Sequence, residues 1–259
     1  MDSLHDIYYL TLETLKRHSS LNEVEFEEKT DEWRNYPNKF KNDEDFFNLL
    51  VQVTFYSGFK SGTVNRSLYK NKEYLGNYQK VKVYTFEDAE MVLDLFGKSS
   101  AIANAPKVCL TILNAREFHR IIMEYGSFKN YLQSYNFEQG VWNEKLYKNL
   151  QGRFYYLGEV TAYHFLMDIG AFCIKPDRQI VQLFMNLGLI RKREKRKHQI
   201  ALKLGRDIAL ETGEKIRVVD IVLVTMRQGT DLGLEYSVCP NHCGECLLNK
   251  LCRGKKESS

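Results

Sequence analysis

Gly152-Arg-Phe-Tyr-Tyr-Leu-Gly158-Glu-Val160-Thr-Ala-Tyr-His-Phe-Leu-Met-Asp-Ile-Gly170-Ala-Phe-Cys-Ile-Lys175-Pro176-Asp177 decides how this chain is read. Thr161 to Ile169 carries the apolar spacing of a helix, and Gly158 and Gly170 bracket it. Pro176 fixes the backbone just ahead of Asp177 and aims that carboxylate out of the loop. Asp177 is then either the N-cap of a helix starting at Arg178, a reactive group, or both. His164 reads as a packed helix residue, and Glu159 as an exposed one.

Outward from this stretch the chain is helical. Residues 4–16 have helical apolar spacing, while 19–45 are polar and acidic with a break at Pro37. Asp43-Glu-Asp45 ahead of Phe46-Phe-Asn-Leu-Leu-Val51 reads as an acidic first turn opening a buried helix. Gly58 and Gly62 then predict a bend. Thr85 caps a helix over 85–96, and a longer one spans Asn104–Tyr125. Residues 178–190, 194–211 and 216–227 supply three more. The one strand signal, Lys80–Tyr84, is short.

At the far end, Cys239, Cys243, Cys246 and Cys252 follow the spacing C-x3-C-x2-C-x5-C, which gathers four of six cysteines. Four thiolates so close suit one metal centre, either an iron–sulfur cluster or zinc. His242 lies between two of them and reads as a bystander. The 259 residues carry a net charge of +4, concentrated in Arg191-Lys192-Arg-Glu-Lys-Arg-Lys-His198. Such a run faces a polyanion or is a solvated helix face. No apolar run approaches membrane-spanning length, and no secretion signal is visible. A cytoplasmic protein is expected.

The central stretch resembles the helix-hairpin-helix DNA glycosylases. Gly158, Thr161 and Ala162 match the hairpin of that superfamily, and Asp177 matches the aspartate ending its catalytic loop. Asn104-Ala-Pro-Lys107, Asn114-Ala-Arg-Glu-Phe118, Glu124-Tyr-Gly-Ser-Phe128 and Gly152–Gly158 are similar to the 3-methyladenine glycosylase I family. Phe47-Asn-Leu-Leu-Val-Gln-Val is similar to the first barrel helix of endonuclease III-like enzymes, and Cys243-Gly-Glu-Cys246 with Leu251-Cys252 to their iron–sulfur loop. The resemblance covers roughly 46–252.

It implies an all-α, helix-hairpin-helix glycosylase fold: a six-helix barrel over 40–172, a second helical domain over 173–259 with the four-cysteine loop, and an N-terminal segment, 1–39, packing with the latter. It implies a monomeric base-excision glycosylase that hydrolyses the N-glycosidic bond of a modified or mismatched base in double-stranded DNA. Asp177 would be catalytic. Gly158, Glu159, Val160, Thr161, Lys175, Arg191 and Lys192 would contact DNA, and a [4Fe–4S] cluster, with zinc as alternative, would sit on the cysteines. Phe55, Tyr56 and Phe59 could line a base pocket, because an extruded base stacks on aromatic faces; core packing explains them equally.

Three departures qualify the match. Val160 stands where bifunctional lyases carry the lysine that forms a Schiff base, so hydrolysis without strand cleavage is expected. Val53 replaces a carboxylate of the 3-methyladenine branch. The first cysteine spacing is x3 where x6 is usual. A glycosylase/lyase of endonuclease III type and a non-catalytic DNA-binding helical protein are the alternatives.

Overall fold

The computed structural model describes residues 3–59, 61–229 and 231–253. In chain order the helices are α1 (Leu4–His18), α2 (Glu23–Arg34), α3 (Asp43–Tyr56), α4 (Ser61–Leu75), α5 (Tyr78–Val81), α6 (Phe86–Gly97), α7 (Ala105–Tyr125), α8 (Phe128–Ser134), α9 (Glu144–Arg153), α10 (Glu159–Asp168), α11 (Arg178–Asn186), α12 (Lys197–Thr212) and α13 (Ile216–Gln228). Among the described residues there is no strand. The all-α expectation holds. The chain divides into two compact units, one of Met1–Pro37 with Phe172–Ser259 and one of Asn38–Ala171.

Local chemistry starts these helices where the sequence provides a cap. Ser3, Asn22, Asn42 and Thr85 each accept from the third helical N–H, while Asp6, Glu25, Asp45 and Asp88 reach back to the cap's own amide. Each reciprocal pair satisfies two amides that a helix start leaves open. The expected strand at Lys80–Tyr84 is instead a helical turn capped by Asn77 and the bend after it. Arg116 donates to the carbonyls of Lys82 (3.2 Å) and Tyr84 (2.7 Å), giving that backbone the partners a sheet would have supplied. The polar segment 19–45 contains α2, whose only buried side chains are Phe26 and Thr30. So narrow an apolar stripe leaves no periodicity to read.

In the first unit α13 is the axis. Ile216 through Met226 are all buried, because α13 packs against α1, α2, α11 and α12. In the second unit α7 packs against α3, α5, α6 and α8, and α10 packs on α3 and α9. Phe118 and Phe128 stack there with centroids 4.7 Å apart, and Phe47 lies 5.3 Å from Phe118. These rings bury the area that holds the α9–α10 hairpin in place. Gly62 sits inside α4 without interrupting it, whereas Gly58 takes the left-handed φ of +81° that ends α3 in a bend.

Candidate functional site

The hairpin of the second unit runs from α9 through 154–158 into α10. Asn114, buried on α7, brackets it: its amide donates to the Tyr155 carbonyl (3.0 Å) and its oxygen accepts from the Tyr155 N–H (2.8 Å). Tyr156 then takes φ +63°, unusual for a residue with a Cβ, and its carbonyl accepts from the Thr161 hydroxyl. Gly158 is the N-cap of α10 and supplies no side chain to its amides. Its φ is −70°, and an added Cβ would meet nothing closer than Thr161 Oγ1 at 3.9 Å. Neither backbone conformation nor internal crowding therefore explains a glycine here. The exposed Gly158 and Glu159 and the half-buried Val160 and Thr161 form the amino end of a helix, which favours an anion.

Beside the hairpin lies an aromatic group on α3 and its bend. Phe55 is fully buried, Tyr56 is half-buried, and Phe59 is 37% exposed. Tyr56 donates to Asn65, and its ring lies 5.6 Å from His164, which pairs with the buried Asp168 at 3.5 Å. Lys107 of α7 completes the group. Its ammonium donates to the Thr54 and Ser57 carbonyls and lies 4.5 Å from the Tyr156 ring centroid. Burial pushes its pKa down to about 8. Nothing in one sequence marks this lysine as buried.

In the first unit Asp177 is the N-cap of α11. Its Oδ1 accepts from Gln179 N (2.8 Å) and Ile180 N (3.1 Å), and its Oδ2 lies 3.2 Å from Lys175 Nζ. Both side chains are 19% exposed. Asp220 of α13 accepts from the Lys175 N–H at 2.7 Å and so fixes the loop from below. Burial raises the Asp220 pKa to about 6, opposed by the charges of Lys175 and Arg217. Sequence reading missed this support, because Asp220 is simply one acid in an apolar helix. Arg191 and Lys192 lie in the turn between α11 and α12, which starts only at Lys197. The cationic run is therefore mostly loop and not the face of a helix from 194.

The four cysteines line one pocket of this unit, walled by apolar residues that include Leu183 of α11 and Leu187 just after it. Cys239 is buried and the other three are partly exposed. Burial raises the Cys239 and Cys246 thiols. A cationic centre would reverse that and hold them as thiolates, so the donor set fits a metal group. Arg227 joins the pocket to α11: Nε donates to Gln179 Oε1 (3.1 Å), and a guanidinium nitrogen reaches Cys239 Sγ (3.4 Å). His242 stacks on Tyr236 with centroids 4.6 Å apart and is absent from the pocket lining.

No helix among the described residues is long and apolar enough to cross a membrane. In fold the chain is similar to the 8-oxoguanine glycosylase/lyase of Methanocaldococcus jannaschii, solved with 15mer DNA containing 8-oxoguanine. The match has 20% identity and TM-score 0.59, covering 87% of this chain and 98% of that one. It is also similar to the 8-oxoguanine DNA glycosylase of Thermotoga maritima, at 13% identity and TM-score 0.56, covering 86% and 97%. None of the curated proteins matches its sequence significantly. The methyladenine glycosylase profile matches residues 24–175, more than half of the sequence and the whole of the hairpin. This protein belongs to the methyladenine glycosylase family, the DNA N-glycosylases of base-excision repair.

Proposed function

We propose that the chain is a monofunctional glycosylase, a single-chain enzyme that hydrolyses the N-glycosidic bond of a modified or mismatched base in duplex DNA, with Asp177 as its catalytic carboxylate. The observation that carries this is the fixing of Asp177. Two helix amides hold one of its oxygens and Lys175 holds the other, so the charge is aimed before any substrate arrives. As the bond between C1′ and the base nitrogen breaks, its electron pair leaves with the base and the sugar becomes cationic. The carboxylate stabilises that cation, water adds at C1′, and its proton leaves to solvent or to the base. With both oxygens engaged, Asp177 acts chiefly through its charge.

Val160 supplies no amine for a Schiff base, which supports hydrolysis without strand cleavage. The amides at the start of α10 would take a phosphate, and Lys175, Arg191 and Lys192 of the other unit would make their own DNA contacts. We infer a [4Fe–4S] cluster on Cys239, Cys243, Cys246 and Cys252. The Cys243-Gly-Glu-Cys246 spacing followed by Cys252, similar to the iron–sulfur loop of endonuclease III-like enzymes, supports the cluster over zinc. When bound, such a group supplies no chemistry to hydrolysis. Its place is structural, bracing α11, whose first turn Asp177 caps.

The test is a screen of duplexes, each carrying one altered base, with released bases identified by mass spectrometry. Release should leave an intact abasic site that breaks only under alkali, and borohydride should trap no protein–DNA adduct. A robust adduct would refute the monofunctional reading and point to Lys175.

A further inference from the structure

Lys107 is a buried cation placed against aromatic rings that reach the surface. Its residue is 3% exposed, while Phe59 is 37% exposed and Tyr156 is half-buried. The ammonium lies 4.5 Å from the Tyr156 centroid, 5.4 Å from Phe59 and 5.8 Å from Phe55. Among the described residues its two hydrogen-bond partners are carbonyls, those of Thr54 and Ser57 at the end of α3. A helix C-terminus offers only about half a negative charge, so a net positive charge stays beneath the rings. Val53, one turn earlier, is apolar and fully buried and adds no compensating charge.

We propose that Lys107 makes this aromatic cluster select an uncharged base and reject a cationic one. The inference rests on the glycosylase reading given above and narrows its substrate class. The negative π faces of Phe59 and Tyr156 would by themselves attract a cationic ring. Here Lys107 already draws on them from the inner side. A base stacked on the outer face of either ring would lie ~8 Å from the ammonium. At an effective dielectric near 20, two positive charges at that distance disfavour binding by roughly 30-fold. An uncharged base keeps the stacking without the repulsion.

The test uses the full chain and three duplexes: undamaged, one with 3-methyladenine (a cationic nucleoside), and one with its uncharged isostere 3-deaza-3-methyladenine. Both lesions are built as 2′-fluoro nucleosides to prevent release. The parent should bind the uncharged lesion about 30-fold more tightly than the cationic one, the ratio set by the repulsion above. Lys107→Met should abolish or invert that preference, and Lys107→Arg should keep it. Because the readout is a ratio for one protein, a general loss of binding in a disturbed variant cancels. A parent that binds the cationic lesion as tightly as its isostere, or tighter, overturns the inference while the glycosylase reading stands. So does an unchanged preference in Lys107→Met. If neither lesion is bound better than undamaged duplex, the base-pocket reading fails and the inference with it.

Discussion

Replacing Asp177 with asparagine separates its two roles. Asparagine keeps the Oδ1 position that accepts from Gln179 N and Ile180 N, so the cap survives. It loses the charge at the helix start, worth about 0.3–1 kcal/mol. It also loses the partly exposed ion pair with Lys175, worth at most about 1 kcal/mol. A stability cost of about 0.3–2 kcal/mol follows, or a Tm lower by roughly 1–8 °C for a chain of this size. Turnover should suffer far more. A charge placed beside a developing cation is worth ~3 kcal/mol or more, a loss of at least ~10²-fold. DNA binding should stay near the parent value. Asp177→Ala should match the turnover loss and cost about 0.5–2 kcal/mol more stability, because the cap goes too. The assays are thermal melting and single-turnover base release. An Asp177→Asn variant as active as the parent would show that this aspartate is only a cap.

Three further outcomes are expected. Gly158→Ala should leave stability within about 1 kcal/mol of the parent, since the site has room and an ordinary φ, yet weaken binding to all duplex sequences alike; unchanged affinity by fluorescence anisotropy would remove the hairpin from the interface. Protein purified without oxygen should hold about four irons per chain and absorb broadly near ~400 nm, and Cys246→Ser should lower both values and the soluble yield; one zinc and no iron would discard the cluster assignment. The third outcome follows from Asp220, whose folded pKa of about 6 lies above its ordinary 3.8, so its neutral form is the one the fold favours. Its contribution is complete below pH ~4 and lost as pH rises through ~6, a change of up to about 3 kcal/mol. Urea unfolding should therefore show Asp220→Asn gaining on the parent between those limits, and a gap independent of pH would refute the argument.

Much of this protein is legible in the sequence because the signals are local. Thr85 with Asp88, and Asn42 with Asp45, announce helix starts that depend on nearby atoms alone. The Gly158–Asp177 stretch and the cysteine spacing are also short-range, and they identify the family and a plausible metal group before any packing is known. What the sequence hides depends on distant neighbours. Helix α2 has too few buried residues to show a period, and Lys80–Tyr84 belongs to a helical turn whose following carbonyls bond to Arg116 of the neighbouring α7, distant in sequence. Lys107 and Asp220 carry no sequence mark of burial, and only packing removes them from water and shifts their protonation. A sequence states which groups can ionise, cap or ligate. Only the tertiary structure decides how far each is removed from water, and with it the charge each one carries.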